Sequence, residues 1–72
     1  MMAATMIEIE LNGAPHRIAP GWHLQELIDA LALANQSLAV AVNREIVPRH
    51  LWRERALASR DRVDVVRAIG GG

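Results

Sequence analysis

Met6-Ile7-Glu8-Ile9-Glu10-Leu11-Asn12-Gly13-Ala14-Pro15-His16-Arg17-Ile18-Ala19 is the stretch whose reading decides the fold. Ile7, Ile9 and Leu11 alternate with Glu8 and Glu10, the period-two pattern of a strand with one buried face. Asn12-Gly13 follows as a strong hairpin signal, because both central turn positions must accept positive φ. His16-Arg17-Ile18-Ala19 reads as the return strand, with Pro15 expected to loosen the turn. The chain therefore opens on a β-hairpin.

Downstream, Pro20-Gly21 breaks the strand and a helix is expected from about His23. Leu24, Leu27, Ile28 and Leu31 recur at i, i+3, i+4 and i+7, which makes one apolar stripe. Glu26 falls in the first turn, where the helix dipole favours it. The helix is expected to run to about Ala34, with Asn35 as its stop. Leu38-Ala39-Val40-Ala41-Val42 is a continuous apolar run and reads as a strand buried on both faces. Asn43-Arg44-Glu45 makes a turn, and Ile46-Val47 a very short strand ended by Pro48. Arg49 to Ala58 is polar and partly helical, with Leu51, Trp52 and Leu57 as inward anchors. After a turn at Ser59-Arg60-Asp61, Val63 to Ile69 forms the last strand. The order β-β-α-β-(β)-β implies an α+β layer, a mixed four- to five-stranded sheet packed on one main helix.

Seventy-two residues allow one small domain, with room for a modest core and none for an enclosed cleft of ordinary size. Half the residues are apolar, so a globular chain is expected. Trp22 and Trp52 are the only aromatics, which leaves the core to aliphatic side chains. Eight basic residues balance eight acidic ones; nucleic-acid binders usually carry a basic face, so no nucleic-acid partner is expected. Cysteine is absent, which removes disulfides and thiolate metal sites. No apolar run approaches a membrane span and Met1 to Thr5 lacks signal-peptide character, so a cytoplasmic location without membrane contact is expected.

Gly70-Gly71-Gly72 closes the sequence directly behind the last strand. Glycine is entropically costly to order, so the triplet contributes little to a fold. Its use is thinness: a four- or five-residue tail without side chains reaches roughly 13–18 Å when extended. It can carry a terminal carboxylate into another protein's active site. Every basic residue is arginine and lysine is missing. Codon bias accounts for this, but it also leaves few nucleophiles to capture an activated terminus.

Taken together, these residues resemble the ThiS family of sulfur carriers in thiamine biosynthesis, which has the ubiquitin-like β-grasp fold. The resemblance covers nearly all of Met6 to Gly72. It rests on Asn12-Gly13, on Gly21 leading into Leu24-Gln25-Glu26-Leu27-Ile28, and on Ala41-Val42-Asn43-Arg44-Glu45-Ile46-Val47-Pro48-Arg49 with Trp52 beyond. Asp61-Arg62-Val63 and the terminal Gly-Gly complete it. His23 stands where the family often has a Ser or Thr cap, so the cap must be weaker or supplied by another residue. Arg60 stands where a turn glycine is common, which strains the turn if φ is positive.

The resemblance implies a domain from 6 to 68, an extension over 1–5 and a flexible tail over 69–72. It further implies that Gly72 is adenylated and then made a thiocarboxylate, with Gly71 and Gly70 keeping the tail slim. A ThiF-like adenylating enzyme using ATP and Mg, a persulfide sulfur donor and a ThiG-like thiazole synthase would be the partners. The chain itself would bind no cofactor, catalyse nothing and be a monomer when free. Ile69 and Val66 are the expected docking residues, since exposed apolar groups on the last strand commonly mark contacts. The small subunit of molybdopterin synthase, which shares fold and tail, is the alternative within this class, and a ubiquitin-like protein tag is a third option.

Other readings use the same residues. His16, His23 and His50 match no common metal spacing. Asp61 and Asp64 suggest paired carboxylates, but a turn and an exposed strand face account for them. Arg53, Arg55, Arg60, Arg62 and Arg67 would suit an RNA-binding β-grasp module, which near-zero net charge and the lack of interleaved aromatics disfavour. The terminal glycines precede no helix and so cannot cradle phosphate.

Overall fold

A computed structural model of the chain describes residues 5–67. The expected extension over 1–5 therefore falls almost wholly outside the described residues, as does the tail over 69–72. The elements are β1 (Ile7–Leu11), β2 (Ala14–Ile18), α1 (Leu24–Ala30), β3 (Leu38–Val42), β4 (Glu45–Ile46), a 3-10 turn (Arg49–Leu51) and β5 (Arg62–Arg67). One five-stranded mixed sheet runs in the order β2-β1-β5-β3-β4. The central strand β5 runs parallel to its neighbour β1, and all other pairs are antiparallel. This is the α+β architecture expected from the hairpin and the single stripe.

Both hairpins close through two-residue turns. Asn12 (φ 50°) and Gly13 (φ 84°) join Leu11 to Ala14. Asn43 (φ 52°) and Arg44 (φ 71°) join Val42 to Glu45. Positive φ at both central residues matches the right-handed twist of the strands. Pro15 does not loosen the first turn: it lies inside β2, opposite Glu10. Because β2 is a sheet edge, a proline there is tolerated.

Helix α1 has seven residues, too few to persist alone in water. Tertiary contacts hold it instead. Leu24, Leu27 and Ile28 are fully buried, each worth about 1.5–3 kcal/mol in burial. Its first amides, which have no partner within the helix, donate across the fold: Leu24 N–H to the Arg55 carbonyl at 2.8 Å and Gln25 N–H to Trp52 at 3.0 Å. His23 is the N-cap and forms a capping box with Glu26, whose Oε1 accepts the His23 N–H at 2.7 Å.

The helix ends four residues before the expected Ala34. Leu31 caps it, Ala32 adopts φ 60°, Ala32 N–H donates to Asp29 and Leu33 N–H reaches back to Ile28. That pair of bonds is a Schellman closure, with alanine where glycine is usual. Leu33 turns back onto the core, and this contact outweighs the helical propensity of Ala32 to Ala34.

The core lies between α1 and one sheet face, with Ile9, Ile18, Val40, Val42, Val63, Trp52 and Leu57 buried there. Two expectations need correction. β3 is buried on one face only: Val40 and Val42 point inward while Ala39 is exposed and Ala41 half-buried. No second layer covers that side among the described residues. Leu51 is not an inward anchor either, being exposed at the end of the 3-10 turn, whereas Trp52 and Leu57 are buried as expected. The short fourth strand spans Glu45–Ile46 rather than Ile46-Val47, though Val47 N–H still bonds to the Val40 carbonyl at 2.8 Å.

Candidate functional site

β5 leads to the tail and lies in the middle of the sheet. Its alternation puts Val63 and Val65 on the core side and Arg62, Asp64 and Val66 on the outer side. Cross-strand partners share a face, so the outer side of β3 and β4 is read from the register. Ala39 stands opposite Val66, Ala41 opposite Asp64, and Ile46 opposite Ala41. Val66 is 61% exposed and Ile46 70%. These residues form an apolar corner beside the point where β5 runs toward the glycines.

The other half of the outer face is charged. Glu8 pairs with Arg17 across β1 and β2, and Glu10 lies beside Arg62. Arg62 Nε is 3.9 Å from the Glu10 carboxylate and 3.5 Å from that of Asp64. With its arginines offset in this way, the sheet presents no uniformly basic surface of the kind RNA binding needs.

Of the expected docking residues, Val66 lies on this outer face and Ile69 falls outside the described residues. Gly70, Gly71 and Gly72 also lie outside them. Ile46, Ala39 and Ala41 were not singled out from sequence. The signal was present, since Leu38, Val40 and Val42 alternate with two alanines, a period-two size pattern inside an apolar run.

Asp61 and Asp64 do not act together. The Asp61 carboxylate accepts the Ala58 N–H at 2.8 Å and the Asn43 side-chain amide at 3.1 Å, which fixes the turn. Asp64 lies half-buried on the outer sheet face. His16 sits on β2, His23 at the start of α1 and His50 in the 3-10 turn. Among the described residues no group of three acidic or histidine side chains could hold a metal, and no helix is long and apolar enough to cross a membrane. The site is a surface and a strand exit.

Comparison with known proteins bears on the fold and the family. The model of the ThiS family matches residues 9–72. A thiazole synthase of Magnetococcus marinus is 36% identical over 92% of this chain, and the chain spans only 20% of that protein's length. The sulfur carrier protein ThiS of Escherichia coli is 29% identical over 92% of the chain and 100% of its own length. The crystal structure of thiamine biosynthesis protein ThiS from Geobacter metallireducens superposes with a TM-score of 0.80 at 26% identity, covering 92% of this chain and 100% of that one. This chain belongs to the ThiS family, the small ubiquitin-like sulfur carriers of thiamine biosynthesis, and is a carrier protein rather than a catalyst.

Proposed function

We propose that the chain carries sulfur on the terminal carboxylate of Gly72 and delivers it, in the cytoplasm, to a ThiG-like thiazole synthase. The observation that carries this reading is the family match, which runs through Gly72. The likeness to one fifth of a thiazole synthase supports the choice of acceptor, since carrier-like and acceptor sequences occur there in one protein.

A carboxylate cannot take up sulfur directly, because oxide is too poor a leaving group. A ThiF-like partner using Mg-ATP joins a Gly72 oxygen to the α-phosphorus and releases pyrophosphate. A partner persulfide then attacks the acyl carbon and expels AMP. A second thiol cleaves the resulting sulfur–sulfur bond and leaves the thiocarboxylate on Gly72. ATP, magnesium and persulfide belong to the partners; this chain binds no cofactor of its own and is a monomer when free. Gly71 and Gly70 let the tail enter a narrow channel, while Val66 and Ile69 meet the partner beside it.

The test is the intact mass of the chain after incubation with ATP, a sulfur donor and a ThiF-like enzyme. Exchange of one oxygen for sulfur at Gly72 is expected, and transfer to thiazole synthase rather than to molybdopterin synthase should follow. An unchanged mass rejects the proposal.

A further inference from the structure

Among the described residues, the strand that leads to the tail is held from one side only beyond Val65. The Asn43 N–H donates to the Arg62 carbonyl at 2.7 Å, and this sets the alternation of the antiparallel ladder. Residues 62, 64 and 66 bond toward β3, so 63 and 65 face β1. On the β1 side the parallel ladder ends at Leu11 opposite Val63, and the chain turns away at Asn12. Two bonds from that one residue extend the grip. The Asn12 N–H donates to the Val63 carbonyl at 2.9 Å, and the Asn12 side-chain Oδ1 accepts the Val65 N–H at 2.8 Å. Among the described residues, Val66 and Arg67 then pair only with Ala39 and Leu38 of β3.

We infer that Asn12 is a positioning residue for the carrier reaction, holding the root of the tail so that the direction of chain exit is set before a partner docks. The inference rests on the carrier reading of Gly72. A partner must engage the body and the tail together. If the end of β5 frays, that partner has to order it on binding, and the entropy lost weakens capture of the carrier. The residue type suits the task. Asparagine accepts a φ of 50° and offers a short acceptor. Aspartate shares both properties, and glycine shares only the first.

The experiment compares wild-type chain, Asn12→Gly and Asn12→Asp as substrates of a ThiF-like enzyme at saturating ATP, alongside hydrogen exchange of the Val65 amide. Asn12→Gly keeps the turn and loses the acceptor. Its Val65 amide should exchange faster and its KM as carrier should rise roughly five- to tenfold with kcat nearly constant, the effect of one lost hydrogen bond on docking. Asn12→Asp should restore both. A merely structural role would not split KM from kcat in folded protein. An ester in place of the 64–65 amide removes the same bond from the donor side and must reproduce the KM rise, even if Asn12→Gly folds poorly. Wild-type KM in folded Asn12→Gly or in the ester, with Val65 exchange accelerated or its N–H deleted, overturns the inference. A wild-type chain that is never adenylated sinks the carrier reading itself, a separate result.

Discussion

The Arg49 guanidinium lies 4.6 Å from the centroid of the Trp52 ring. Its two terminal nitrogens donate to the carbonyls of Ala34 at 3.1 Å and Gln36 at 2.7 Å. The indole nitrogen donates in turn to the Val47 carbonyl at 2.9 Å in the buried core. One arginine thus ties the loop after α1 to the segment that covers the helix start. Lysine keeps the charge but has neither the planar fork nor the stacking face. Arg49→Lys is expected to cost about 1–2 kcal/mol, read as a lower urea midpoint at constant m-value.

Besides Arg44 in the second hairpin turn, Arg60 and Ala32 hold a backbone conformation better suited to glycine. Arg60 sits at φ 72°, with its N–H bonded to the Glu8 carbonyl at 2.8 Å. Ala32 closes the helix at φ 60°. Left-handed backbone costs an ordinary residue about 1–2 kcal/mol, part of which glycine gives back as unfolded-state entropy. Arg60→Gly and Ala32→Gly should each stabilise the fold by about 0.5–1 kcal/mol, raising Tm by several degrees in a domain of this size. The sites share no hydrogen-bond partner, their amides bonding to Glu8 and Asp29 respectively, so the double variant should show the sum. A lower Tm for either would refute the strain argument.

The apolar corner of the sheet makes a prediction that separates docking from folding. Ile46 and Val66 are exposed, so aspartate at either position should change stability by no more than about 0.5 kcal/mol. If this corner meets the partner, Ile46→Asp and Val66→Asp should each weaken binding to the adenylating enzyme about tenfold or more, as truncated interface anchors do. Titration calorimetry decides the matter, and unchanged affinity in both variants would remove the corner from the interface.

Arg67 is exposed five residues before Gly72, and a tail of that length reaches roughly 17 Å when extended. A guanidinium stays protonated and does not attack an acyl adenylate, whereas a lysine amine has a reactive free base. In Arg67→Lys, the amine nitrogen should bond to the activated Gly72 carbon as AMP leaves and the proton passes to water. Mass spectrometry should then find an internal amide, one water lighter than the starting chain. The lysine-free wild type should yield thiocarboxylate without it. Clean thiocarboxylate from the variant would mean that missing lysine has no protective effect.

Much of this protein was legible in its local pattern. The Asn12-Gly13 hairpin, the Leu24-Leu27-Ile28 stripe and the strand over Leu38–Val42 all follow from spacing and turn chemistry, which act between near neighbours. The resemblance marked Arg60 and His23 as unusual positions, but that Arg60 takes φ 72° is known only from the structure. The resemblance in sequence also points to the family without any tertiary information.

Tertiary structure decided what depends on partners distant in the chain. Where α1 stops was settled by Leu33 folding back onto the core. Whether β3 has one buried face or two was settled by the absence of a second layer over Ala39 among the described residues. That Asn12 holds Val65, 53 residues away, appears only once β1 and β5 lie side by side as parallel neighbours. Sequence periodicity reports which side chains avoid water; it carries no record of which strand will supply the neighbouring amide. For that reason the fold class was readable from the chain, whereas the grip on the root of the tail was not.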